Sequence, residues 1–219
     1  MIPDGGPVPH RSGPLSRFAV SIAPVRHRLR WRVRAEGATV RFVSGLPAGS
    51  LGRVVIPADE LARRVNELGA EITADYAGRR PLLVGVLKGA FVFMSDLARA
   101  INLPVEFDFM AVSSYGEGTV SSGVVRIVKD LETDIKGRDV ILVEDIVDSG
   151  LTLAYLKEVL GDRQPASLEI CALLVREGAS DSGAKYFGFP IPPDFLVGYG
   201  LDVAEHYREL DALRVFDPT

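Results

Sequence analysis

Three short apolar runs constrain this chain more than anything else in it: Leu82-Leu83-Val84-Gly85-Val86-Leu87, Val140-Ile141-Leu142-Val143 and residues 168–175, in which Glu169 is the one charged residue. None shows the polar alternation of a strand with one wet face, so each reads as a strand buried on both faces. Segments of helical spacing separate them. Leu61, Val65, Leu68 and Ile72 fall on one face of a helix capped by Asp59 and ending near Gly78. Phe91, Met94, Leu97 and Ile101 mark a second helix, and Leu153, Leu156, Val159 and Leu160 a third. Pro104 introduces one more strand over residues 105–113, followed by a polar, Gly-rich stretch, 114–123, that reads as a flexible loop. Strands alternating with helices of this length imply parallel pairing through crossovers, so the expected architecture is α/β, an open, mainly parallel sheet flanked by helices. Ligands of such sheets bind at the carboxyl ends of the strands. Chemistry is therefore expected just after Leu87, Val143 and Val175.

Composition narrows the classes. The 219 residues fit one ordinary globular domain, and no run of about 18 apolar residues offers a membrane span. The single cysteine, Cys171, lies in an apolar run without a partner, which excludes disulfides and Cys-based metal sites and suits a reducing cytoplasm. Residues 1–45 carry eight arginines against Asp4 and Glu36, a formal +6; the whole chain carries −4, which leaves −10 for residues 46–219. An acidic body does not look like a nucleic-acid binder. The first 45 residues lack sustained periodicity and apolar anchors and read as a disordered extension. A transit peptide and a reading frame begun too far upstream both fit this composition.

The most informative chemistry lies in Glu144-Asp145-Ile146-Val147-Asp148-Ser149-Gly150-Leu151-Thr152. A buried strand delivers two adjacent carboxylates, and a tight turn then opens a helix. The helix start presents N–H groups and two hydroxyls to an anion, where the helix dipole favours a phosphate. Glu144 and Asp145 would repel that phosphate, so they must face hydroxyls or a cation; vicinal ribose hydroxyls and Mg²⁺ satisfy both. A solvated acidic loop with Asp148 or Ser149 as a cap is the plainer alternative, weakened by the ordered run of three acids, Ser-Gly and Thr. No Walker A loop and no Gly-x-Gly-x-x-Gly occurs, which disfavours nucleoside-triphosphate and dinucleotide enzymes.

This segment resembles the phosphoribosyl pyrophosphate (PRPP) motif of type I phosphoribosyltransferases. Leu87-Lys88-Gly89 resembles the pyrophosphate loop of the hypoxanthine-guanine branch, Ser113-Ser114-Tyr115-Gly116 its closing loop, residues 195–202 its base-binding segment, and Glu205-His206-Tyr207-Arg208 its pyrophosphate-binding arginine region. The likeness runs over residues 54–216. It implies a core sheet with a small hood subdomain and a Mg²⁺-dependent transfer of the phosphoribosyl group from PRPP to hypoxanthine or guanine, giving IMP or GMP and pyrophosphate. It also implies assembly as a homodimer or homotetramer. By the same resemblance, Asp148 is the catalytic group at the imidazole side of the base. Glu144, Asp145, Asp148, Ser149, Gly150, Leu151 and Thr152 bind the ribose and its phosphate. Lys88, Gly89 and Arg208 bind pyrophosphate, with a cis peptide before Lys88. Phe195 stacks on the purine, Leu196 offers its carbonyl to an exocyclic amine, and Asp202 closes the base segment. Ser114 and Tyr115 belong to the closing loop, and Glu144, Asp145 and Asp202 are the metal ligands.

One departure stands out. Where the family carries aspartate, lysine and proline after the fourth strand, this chain reads Val175-Arg176-Glu177. The family lysine donates to the exocyclic oxygen of the base, and Arg176 is still an obligate donor. Arg176 pointing to solvent beside Glu177 is the alternative. Relatives acting on adenine, uracil or orotate, and RNA-binding regulators of the same fold, are the rival readings; the first requires a different 195–202 segment and the second a basic face.

Overall fold

A computed structural model of the chain describes residues 47–114, 125–148, 150–177 and 183–218. The expectations for residues 1–45, for Tyr115 and for Ser149 lie outside them. In chain order the elements are β1 (Gly49–Ile56), α1 (Ala58–Asp75), β2 (Leu82–Leu87), α2 (Phe91–Ala100), β3 (Glu106–Ser114), β4 (Val125–Lys129), β5 (Asp139–Val147), α3 (Leu151–Gly161), β6 (Ser167–Arg176), β7 (Tyr186–Ile191), β8 (Leu196–Val197) and β9 (Leu213–Pro218).

Six strands form one sheet in the order β4-β3-β2-β5-β6-β7. All neighbours are parallel except β4, which returns antiparallel along β3 at the edge. The apolar runs explain the centre. Leu83, Ile141, Val143, Cys171 and Leu173 turn to one face and pack with α1 and α2, through Leu61, Leu68, Phe93 and Leu97. Leu82, Val84, Val86, Val140, Leu142, Ile170 and Ala172 turn to the other, with Leu153, Leu156 and Leu160 of α3. Successive strand residues face opposite ways, so a strand covered on both sides must be apolar throughout. Cys171 is fully buried, and burial pushes its thiol pKa up, as for an inert core thiol.

The chain runs outward through α2 from β2 to β3 and, in the other direction, through α3 from β5 to β6. The strand order therefore reverses between β2 and β5, and a crevice opens at their carboxyl ends. A second sheet, β1-β9-β8, joins the two ends of the described chain, with β1 antiparallel to β9 and β9 to β8. It holds residues 195–197 and the loop between β8 and β9 beside that crevice.

Three local expectations need correction. Asp59 does not cap α1: Pro57 is the N-cap, no side chain bonds there, and Asp59 sits in the first turn, where its charge favours the helix N-terminus. On α2 the buried set is Phe93, Met94 and Leu97, while Phe91 is 46% exposed. The strand expected over residues 140–143 continues to Val147, so it carries Glu144 and Asp145 as expected and the turn begins only at Asp148.

Candidate active site

Lys88 and Gly89 leave the end of β2, and the Leu87–Lys88 peptide is cis. Gly89 lies so close to Asp145 that a Cβ built there would come within 1.5 Å of Asp145 Oδ2; one on Gly200 would come within 2.1 Å of the Gly89 carbonyl oxygen. The Gly89 backbone thus lies against the Asp145 carboxylate on one side and the Gly200 backbone on the other, a closeness that glycine at both positions permits. These segments enclose a cleft of about 300 Å³ lined by Lys88, Gly89, Glu144, Asp145, Thr152, Asp202 and Arg208. A smaller recess of about 90 Å³ continues it along Glu144, Asp148, Gly150 and Thr152. A larger cavity of about 520 Å³ behind Arg208, between α1, α2 and Tyr199, includes none of the acidic-turn residues and is not where the chemistry converges.

The acidic end is a strand-to-helix junction. Gly150, with φ of 75°, takes the left-handed conformation at the N-cap of α3, so the first turn of the helix, with Thr152, opens onto the recess. Glu144 is 6% exposed; burial first, and the charge of Asp145 second, push its carboxyl well above the usual range. Burial also raises Asp145, although the Ile146 N–H donates to its Oδ1 at 2.9 Å. Asp148, by contrast, is 68% exposed at the side chain.

The basic groups come from the far side. Arg208, on the loop between β8 and β9 and not on a helix, donates Nη1 to the Gly200 carbonyl at 2.7 Å. Its Nη2 lies 2.8 Å from Asp202 Oδ1 and 3.3 Å from Glu205 Oε2. Lys88 Nζ lies 2.9 Å from Glu205 Oε1. Those two cations hold the Glu205 carboxyl below its usual range, Lys88 most of all.

Arg176, at the end of β6, does not pair with Glu177. Its Nη1 donates to the carbonyls of Pro192 (2.8 Å) and Asp194 (3.3 Å). Its Nε lies 2.8 Å from Asp148 Oδ1, an ion pair in which the N–H points off the oxygen and makes no aligned hydrogen bond. The side chain is 22% exposed. Among the described residues, the buried side-chain N–H groups without an aligned acceptor are Arg176 Nε and Arg208 Nε. Buried donors are otherwise paired almost without exception; one of these two lies on Arg208, which lines the cleft, and the other on Arg176, which pairs with Asp148 of the recess.

Phe195, just before β8, is 52% exposed and stands edge-on to Phe216 at 6.2 Å, so one face of its ring is open. Leu196 is buried and paired with Val215. Ser114 ends β3. The expected metal set is not a preformed cage: among the described residues no three acidic, His or Cys side chains converge on one point. The cleft still fits a hard cation, because Glu144, Asp145 and Asp202 line it together, and Mg²⁺ is commonly held by one or two carboxylates plus substrate oxygens. Sequence reasoning missed Glu205 as a site residue. The signal was its place in Glu205-His206-Tyr207-Arg208, the segment resembling the pyrophosphate-binding arginine region, where only Arg208 was given a role.

A model of the phosphoribosyl transferase domain matches residues 57–204, the span from the start of α1 through Asp202. The chain belongs to the phosphoribosyl transferase family. Within that family it is 52% identical over 178 residues to a hypoxanthine-guanine phosphoribosyltransferase of Mycobacterium avium, covering 78% of this chain and 88% of the relative. A Bacillus subtilis enzyme of the same name is 49% identical over 168 residues, covering 76% and 93%. The crystal structure of a hypoxanthine phosphoribosyltransferase from Staphylococcus aureus superposes with a TM-score of 0.73 at 44% identity, covering 77% of this chain and 92% of that one. Among the described residues no helix is long and apolar enough to cross a membrane.

Proposed function

We propose that this chain salvages purines, transferring the 5-phosphoribosyl group from PRPP to hypoxanthine or guanine and releasing IMP or GMP and pyrophosphate. The observation that carries the reading is the single cleft that gathers Lys88, Gly89, Glu144, Asp145, Thr152, Asp202 and Arg208 from four separate stretches of chain. The 5-phosphate takes the recess at the start of α3, where helix N–H groups and the dipole favour an anion. Glu144 and Asp145 accept from the ribose hydroxyls, which offsets the loss of hydration on burial that raises both carboxyls. Lys88, the Gly89 backbone and Arg208 receive the pyrophosphate. Mg²⁺, held against Glu144, Asp145 or Asp202 together with substrate oxygens, would neutralise the leaving group's charge.

In the transfer, a purine ring nitrogen forms a bond to the anomeric carbon while the carbon–oxygen bond to pyrophosphate breaks, and the pyrophosphate leaves with the bonding electrons. Asp148, largely exposed and facing the recess, accepts the proton or hydrogen bond of the imidazole side of the base. Ser114 and Tyr115 contribute to the loop that excludes water from the cation-like transition state. Phe195 stacks its open face on the purine and Leu196 presents its carbonyl to the exocyclic amine. Arg176, held by two carbonyls just before Phe195, donates to the exocyclic oxygen. An amino group at that position meets donor against donor, so adenine is refused.

We place the enzyme in the cytoplasm, in keeping with its buried free thiol. We also propose self-association as a dimer or tetramer, supported by the exposed Phe91 and Phe107 and checked by analytical ultracentrifugation. PRPP-dependent turnover with hypoxanthine, guanine, xanthine and adenine offered in turn tests the function. Turnover of the first two with pyrophosphate release is expected; none with any oxopurine refutes it.

A further inference from the structure

Glu205 stands where two cations of the cleft meet. Each of its carboxylate oxygens takes one: Oε1 lies 2.9 Å from Lys88 Nζ and Oε2 lies 3.3 Å from Arg208 Nη2. Lys88 comes from the loop after β2 and Arg208 from the loop before β9, so this carboxylate ties two walls of the cleft together.

The backbone fixes that placement. Glu205 has φ of 67°, between Ala204 at 50° and Tyr207 at 77°, three non-glycine residues in the left-handed region within four positions. Such conformations are uncommon and persist where surrounding contacts over-determine them. The Glu205 N–H donates to Asp202 Oδ2 at 2.8 Å, while Asp202 Oδ1 holds Arg208 at 2.8 Å. The turn therefore aims Glu205 at Lys88 while keeping Asp202 on Arg208.

A diphosphate that engages Lys88 and Arg208 must displace this carboxylate or sit beside it against like-charge repulsion. We propose that Glu205 is an internal competitor for the pyrophosphate group, exchanging with it on Lys88 and Arg208 and so setting the affinity for PRPP and the release of pyrophosphate. This rests on the reading of Lys88 and Arg208 as pyrophosphate contacts. The Lys88 and Glu205 side chains are 64% and 62% exposed, and exposed ion pairs are individually weak, so the device tunes affinity and does not gate it. Its use lies in turnover: a returning carboxylate helps the product leave, and product release limits many enzymes.

The test is Glu205→Gln, which keeps size and removes charge, with melting temperature as the folding check. Pyrophosphate binding, measured calorimetrically with Mg²⁺ and without base, should tighten about three- to tenfold, and the KM for PRPP should fall in parallel, while the KM for hypoxanthine moves less. Adding Lys88→Met should abolish most of that gain, because the competitor then has one cation fewer to exchange on. Unchanged or weaker pyrophosphate binding by a folded Gln variant, alongside a wild type that binds pyrophosphate and turns over, overturns the competitor and leaves the enzyme reading intact. A wild type that neither binds pyrophosphate nor turns over PRPP overturns both.

Discussion

The carboxylate wall of the cleft rides on β5 and α3, whereas the arginine wall rides on the irregular chain between β8 and β9. On the first, Glu144 and Asp145 are carried by a strand paired on both sides, and the helix after Gly150 packs Leu153, Leu156 and Leu160 on the sheet. On the second, Tyr199, Ala204, Glu205 and Tyr207 all have positive φ, and each charged group leans on another: Arg208 on Asp202 and the Gly200 carbonyl, Glu205 on Lys88. The sheet supplies rigidity to charges that are costly to bury, while the loop supplies charges that neutralise one another at the surface. A rigid wall can hold groups in unfavourable ionisation for use on a sugar; an adjustable one can trade its partners for a diphosphate.

The largest effect should come from the rigid wall. Glu144→Gln with Asp145→Asn should lower turnover about 10²–10³-fold, as expected when groups tuned to the transition state are lost. The same double variant should be more stable than the wild type at neutral pH without Mg²⁺. Both carboxyls have pKa values raised in the fold, so their favourable contribution is present below the unfolded value of about 4 and is lost as pH rises through the higher folded values. The stability gain should therefore shrink as pH falls toward 4, which thermal melts across pH would follow. A loss of stability at pH 7 would contradict the strained-charge account of this wall.

Gly89→Ala tests the place where the walls meet. The new methyl must push the Asp145 carboxylate aside, and a displacement of about 1 Å at such a site can cost about 10²-fold in rate. Full activity in this variant would show that Asp145 and the loop are not rigidly coupled. Arg176→Ala addresses the base end. It should weaken hypoxanthine binding about tenfold or more, as for a lost bond to a charged donor, and leave the KM for PRPP closer to its original value, measured by initial rates. An unchanged hypoxanthine KM would return Arg176 to the role of a clamp on Asp148 and the 192–194 carbonyls. The smallest effect is expected from removing residues 1–45, whose composition cannot repay the entropy of ordering. Melting temperature and turnover should both stay as they are, and a clear loss of either would mean that the extension packs on the body.

The contrast between the walls also explains what could be read from sequence. Strands β2, β5 and β6 were legible because doubly buried strands are written as largely apolar runs, broken in residues 168–175 only by Glu169. The acidic turn was legible because its groups are adjacent in the chain. Strand β1 was not, because its partner β9 lies some 160 residues away and no local pattern encodes the pairing. Two-residue β8 has no periodicity to detect. Phe91 and Phe93 are both compatible with helical spacing in a ten-residue helix, and only packing against the sheet selects Phe93. The pairing of Glu205 with Lys88 depends on a left-handed turn at residues with no glycine to announce it. Arg176 was visible as a departure from the family pattern, but its grip on Asp148 joins the ends of β5 and β6 and needed the fold.

Initial-rate turnover of PRPP with hypoxanthine, guanine and adenine, followed by release of pyrophosphate from the same purified protein, tests the central claim most directly. Two oxopurines that turn over, with adenine lower by up to about 10⁴-fold, are what a donor at Arg176 facing an exocyclic oxygen predicts. Adenine used as well as hypoxanthine, or no PRPP-dependent release of pyrophosphate with any base, would contradict it.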